Sequence, residues 1–360
     1  MDNDFINDIK FNCDVSDAKY WGYFSICGLL MRHRDLYRSE QGLRPWADIR
    51  REDITDWISK KEARWPEMEG LDFRNLTISN KEFRPFALDG INEALRAQGL
   101  IYGAGYGMYM KPTFFLADLR SVREVSGLTV YTSRKEYVRD LFTAPGMVQG
   151  TSIFIRLEPL LALLQYKLSE LSSRPTHSAG GDAFAAYGFG RRQIIDDVYE
   201  RNLETVTERY ADVLLSHELA EAREDVAEWK DILAVAEDRN VEHFLRAVKD
   251  LIADTSVHGP LRRIIETRDR GALGLFVALM DGFRRLLFPG LGRAYERTAR
   301  HDGWAALENA REEGYERFRQ LREDVIGLSR SSGGPDAFLG NLRSLVRAYL
   351  EKDGGPGPRQ

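Results

Sequence analysis

In the stretch SHELAEARED, residues 216–225, one histidine is followed closely by carboxylates: His217, then Glu218, Glu221 and Glu224. Glu221 lies one helical turn beyond His217, so in an α-helix the two side chains share a face. Imidazole and carboxylate are the donors that proteins offer to divalent Zn, Mn or Fe. Tyr199, Leu203, Val206, Tyr210, Val213, His217 and Ala220 recur at spacings of four and three, an apolar seam that turns with a helix. A histidine therefore occupies a core position. Its plainest reading is a core imidazole hydrogen-bonded to a carboxylate or a carbonyl, and its chemical reading is a metal ligand.

Which residues join it depends on the helix that follows. A reversal near residues 236–238 brings that helix back antiparallel. His217 lies about 19 residues before the turn and both helices rise ~1.5 Å per residue, so its counterpart falls near Asp254 to His258. Glu221 falls level with residues 251–254. The candidate metal set is thus His217, Glu221, Glu224, Asp254 and His258, with Glu218 or Glu224 as the base if the site is hydrolytic. Against the seam Val241, Leu245, Val248 and Ile252, Asp254 flanks the buried face, whereas His243 and Asp250 fall on the wet one. His258 precedes Gly259-Pro260 and is expected on a turn.

No catalytic signature is complete. His217-Glu218 begins like His-Glu-x-x-His, the zinc peptidase motif, but position 221 is Glu, which removes the second histidine ligand. The Glu-x-x-His pair of di-iron bundles is absent. The glycine-rich GAGYG, residues 103–107, lacks the Gly-Lys-Ser/Thr ending of a phosphate loop and is expected to be a hairpin turn whose glycines supply positive φ. INEALRAQGL followed by YGAGYGMYMKP resembles the recognition helix and wing of winged helix-turn-helix domains. That resemblance would make Arg96 and Lys111 phosphate contacts. Asp89, Glu93 and the net charge of −5 weigh against it. Asp281 and Arg285, one turn apart in an apolar stretch, read as an ion pair.

Length sets the frame: 360 residues exceed what one core usually serves, so two domains are expected. With 43% hydrophobic and 30% charged residues the chain falls in the globular class, and its acidic balance excludes a general attraction to nucleic acid or anionic membrane. Cys13 and Cys27 are too few for a disulfide framework and read as reduced cytosolic thiols. The acidic start has no signal-peptide pattern. The apolar window 272–280 is about half of the roughly 20 residues that a membrane span needs.

The elements that must position the candidate site follow from periodicity. Residues 17–40 read as one helix from an N-cap at Ser16, with Trp21, Phe24, Cys27, Leu30 and Met31 on one side; two further helices are expected over 51–65 and 84–98, the latter stopped by Gly99. Residues 100–119 alternate in period two and read as a hairpin, with further strands at 127–133 and 152–157 joined by a short helix, SRKEYVRDLF. Beyond 157 every element reads as helix, including a continuous apolar one over 271–288. The fold class is therefore mainly α. An N-terminal α+β domain, 1–175, carries a small antiparallel sheet around 99–157, a C-terminal all-α helical bundle spans 176–352, and 353–360 form a disordered tail. The boundary falls in the Pro/Gly/Ser-rich SSRPTHSAGG.

The stretches YWGYFSICGLL, YGAGYGMYMKP, SIFIRLEP and SHELAEARED resemble those of an uncharacterised family of bacterial cytosolic proteins with no assigned activity. The resemblance spans most of the chain and implies a two-domain, mostly helical protein; it carries over no catalytic residues. The leading expectation is a cytoplasmic protein that acts by interaction or assembly, through a protein partner or self-association and without membrane or nucleic acid, with a divalent-metal site at His217. A metal-dependent hydrolase or oxygenase using the same residues is the alternative, and DNA binding by the N-terminal domain the second.

Overall fold

Residues 3–172, 178–190, 195–236, 238–300 and 302–352 are described by a computed structural model. The chain divides into two compact units, Met1–Gln165 and Tyr166–Gln360. Residues 173–177 of the expected linker and the tail 353–360 lie outside the described residues.

In the first unit, helix Asn3–Tyr20 places Phe5, Ile9 and Cys13, spaced by fours, in a core with Tyr102, Phe114 and Leu116 of the sheet. A hairpin of β1 (Leu76–Ile78) and β2 (Lys81–Phe83) caps that core. The main sheet holds β3 (Leu100–Tyr106), β4 (Pro112–Val125), β5 (Leu128–Arg139), β6 (Gly146–Gln149) and β7 (Ser152–Arg156) in the order β3-β4-β5-β7-β6. All neighbours are antiparallel except β5 and β7, which are parallel. The sheet is thus mixed, not purely antiparallel.

Several expectations change here. Residues 17–40 do not form one helix: the chain breaks at Trp21–Tyr23 and restarts at Ile26–Glu40, with Ser25 as N-cap accepting from the Gly28 amide. Ser16 is buried inside the preceding helix. The stretch SRKEYVRDLF is not a helix but continues β5 as far as Arg139. Its charges misled the periodicity because Glu136 points inward, where it accepts from Arg156 Nε at 2.6 Å and Nη2 at 2.9 Å. Gly103 and Gly105 are not turn residues. They lie in β3, where an added Cβ would meet the Phe115 ring at 2.0 Å and the Gln149 side chain at 2.2 Å. The positive φ of the hairpin turn falls instead on Tyr109 (58°) and Met110 (53°).

The second unit is helical throughout its described residues. Asp196 caps helix Asp197–Arg223 by accepting from the amides of Val198 and Tyr199, and Asp238 caps helix Arg239–Thr255 in the same way. Between them lies a short helix, Ala227–Ala234, which replaces a simple reversal. The apolar stretch 271–288 is split into Arg270–Leu279 and Gly282–Leu287: Met280 is extended and Gly282 has φ +41°. That break undoes the Asp281 and Arg285 pair, and Arg285 donates to the Met280 carbonyl at 2.7 Å. Among the described residues, no helix is long and apolar enough to cross a membrane.

Candidate functional site

The apolar seam of helix Asp197–Arg223 buries Tyr199, Leu203, Val206, Tyr210, Val213 and Ala220 and carries His217 with it. Helix Arg239–Thr255 buries Val241, Leu245, Val248 and Ile252. The pairs between them run in opposite senses, His217 to Asp254 and Glu221 to Lys249, as antiparallel neighbours require. His217 Nδ1 lies 2.8 Å from Asp254 Oδ1, and Asp254 Oδ2 accepts from Arg284 Nη2 at 2.7 Å. The buried carboxylate therefore accepts from Nδ1–H, which turns Nε2 towards Glu221.

Nε2 stands 3.7 Å from Glu221 Oε2, while Glu221 Oε1 accepts from Lys249 at 2.8 Å. One donor atom each from His217, Glu221 and Asp250 lies within 4.8 Å of the others. A tetrahedral zinc spaces its ligand atoms by roughly 3.4 Å, so the three must draw in by about an ångström or less. A histidine held by a carboxylate at one nitrogen and facing another carboxylate with the second is the arrangement that orients metal-binding imidazoles.

Charge in the cluster is strongly coupled. Burial alone would depress the His217 imidazole, but Asp254, with Glu221 and Glu218 behind it, raises it well above the usual range. Burial would likewise raise Glu221, yet Lys249 and His217 hold its carboxyl below its ordinary value. Asp254 is lowered in the same way by Arg284 and His217. For Glu218 burial, with Glu221 adding to it, outweighs His217 and Lys249 and pushes it up to about 8. Burial also raises Asp250.

The sequence-predicted residues divide accordingly. His217, Glu221 and Asp254 come together. Glu224 accepts from the Tyr315 hydroxyl at 2.7 Å and is not part of the group. His258 is exposed on the turn after Thr255 and does not reach it. Asp250, assigned from the seam to the wet face, is the missed member. It lies one turn before Asp254, a spacing that could have revealed it. Glu218, offered as a base, is buried with its proton held on at neutral pH, the wrong state for one. The cavity beside Glu221 has a volume of about 10 Å³, room for a single water.

The two residues offered as phosphate contacts in the first unit are placed differently. Arg96 is exposed, but Lys111 is sealed in the core, 3.2 Å from Asp17 and 3.4 Å from Asp140, and donates to Ser16 Oγ at 2.7 Å. A lysine so placed offers no charge to a phosphate.

Residues 4–156 match the family of unknown function (DUF6866) N-terminal domain and residues 162–347 its C-terminal domain. No curated protein matches the chain, and no solved structure does. The two matches cover nearly the whole sequence and fall one on each compact unit, and the chain belongs to this family of unknown function, DUF6866.

Proposed function

We propose that the C-terminal unit is a divalent-cation-binding helical module, acting in the cytoplasm through interaction or assembly. The observation that carries this reading is the orientation of His217: Asp254 occupies Nδ1, Nε2 faces Glu221 Oε2, and an Asp250 oxygen lies within 4.8 Å of a donor atom of each. These donors suit Zn²⁺, Mn²⁺ or Fe²⁺. Binding at Nε2 requires loss of the proton that the surrounding carboxylates stabilise there, so affinity weakens as pH falls. Both cysteines are free, with Cys27 exposed, which suits a reducing compartment.

The rival reading, a metal-dependent hydrolase or oxygenase, draws less support. Glu218, its candidate base, is buried and holds its proton at neutral pH, and the cavity lined by Glu221 and Glu224 has room for one water. Elemental analysis of the purified chain, with thermal unfolding in added Zn²⁺, Mn²⁺ and Fe²⁺, tests the proposal. One equivalent of metal and a raised Tm, both lost in His217→Ala, are expected. A metal-free protein whose Tm responds to none of the three ions overturns it.

A further inference from the structure

In the first unit a cavity of about 440 Å³ is lined from helices Asn3–Tyr20, Ile26–Glu40 and Arg51–Glu62 and from the end of β5. Small-molecule sites span roughly 300–1,000 Å³, so the volume is that of a ligand site. Its wall is unevenly charged. Five cations, Lys10, Lys60, Lys61, Arg64 and Arg139, share it with two carboxylates, Asp14 and Glu40.

Both carboxylates are already engaged. Asp14 takes Lys61 at 2.7 Å and Arg64 at 3.3 Å, and Glu40 accepts from the Trp57 indole at 3.0 Å. Lys10 and Lys60 are exposed and pair with no acid among the described residues. Arg139 is 6% exposed; its Nη2 donates to the Asp35 carbonyl at 2.8 Å and its Nη1 lies 3.5 Å from Glu136. The Nε–H of Arg139, also buried, has no acceptor. That nitrogen is shut off from water, so Lys10 and Lys60 are the unpaired cations that the cavity offers to an anion. Trp57, Leu36 and Val138 supply an apolar stretch of the same wall.

We propose that this cavity binds a small organic phosphate, its anionic group taken by Lys10 and Lys60 and its body laid against Trp57, Leu36 and Val138. Paired ammonium donors suit a group with several acceptor oxygens and more than one negative charge. Two cations without an acid partner match a phosphate better than a single carboxylate. This site lies wholly in the first unit and is independent of the proposed metal centre.

Isothermal titration of the full chain in the presence of a chelator, with inorganic pyrophosphate and citrate as probes at ionic strength matched by NaCl, tests it. Pyrophosphate is expected to bind at one site with Kd below about 1 mM, about tenfold tighter than citrate. The surface double variant Lys10→Ala/Lys60→Ala is expected to weaken it about tenfold, while His217→Ala leaves it unchanged. Silence towards pyrophosphate, tighter binding of citrate, or unaltered affinity in the double variant each overturns the proposal.

Discussion

The two units each bury a cluster of opposite charges, built from similar parts and finished differently. In the first, Lys111, Asp17 and Asp140 are between 0% and 2% exposed. Their remaining polar atoms are consumed locally: Asp17 accepts from the Leu141 amide, Asp140 from those of Phe114 and Phe142, and Lys111 donates to Ser16. In the second, the side chains of His217, Glu221 and Lys249 are 16–28% exposed. Glu218 and Asp250 bring further carboxyls that form no ion pair among the described residues. A closed, internally satisfied cluster holds a fold together. An accessible one with surplus carboxyl groups retains the capacity to take up a cation.

Lys111→Met should show the largest effect, because it leaves Asp17 and Asp140 facing each other without the cation between them. Loss of one partner from a buried pair costs about 3–5 kcal/mol, and the upper part of that range is expected by denaturant unfolding. Unchanged metal uptake in the same variant would sharpen the contrast between the clusters. Asp254→Ala should cost somewhat less, about 3 kcal/mol, since Arg284 and His217, which it strands, keep some contact with water. A loss below about 1 kcal/mol would show that Asp254 is not the anchor of its cluster.

Histidines draw the same contrast through pH. In the first unit His33 stacks on Trp65, and burial, with Lys61 adding to it, lowers its pKa to about 4 from 6.5. The unfolded chain therefore binds the proton more readily, and stability falls as pH drops from 6.5 towards 4, by about 3 kcal/mol in full. His33→Gln should flatten that slope in unfolding measured across the window. His217 has the opposite sign: its folded value is raised, so its contribution is complete below the unfolded value and is lost as pH rises through the folded one. Glu221→Gln should have the smallest effect on the metal-free protein, about 1 kcal/mol for a pair with partial access to water, while weakening metal binding at least about tenfold by calorimetry. Equal metal affinity in this variant would remove Glu221 from the site.

Much of the second unit was legible because its helices keep regular seams. Counting 1.5 Å per residue from a reversal near 236–238 pointed to the span from Asp254 to His258 opposite His217, and Asp254, at its near end, is the residue that meets it, even though the connection contains an additional helix. Asp250 was lost because one seam taken alone assigns a single wet face, while a residue on the border can still turn towards a neighbouring helix. The first unit was harder to read. Inward charges on β5 broke its period-two pattern, and the partners that satisfy them, Arg156 with Glu136, come from another strand. The burial of Lys111 was likewise invisible, since both its carboxylates come from distant parts of the chain, one on a helix and one just beyond β5. The cavity gathers residues from 10 to 139, and no local spacing announces it.

The central claim is a cation held between His217, Glu221 and Asp250. Crystals grown with Zn²⁺ or Mn²⁺ and measured at the metal absorption edge test it most directly. An anomalous peak is expected about 2.0–2.2 Å from His217 Nε2, shared with the Glu221 and Asp250 carboxylates, while Nδ1 stays on Asp254. Absence of a peak there, with the Lys249 ammonium and the His217 imidazole still engaging Glu221, would contradict it.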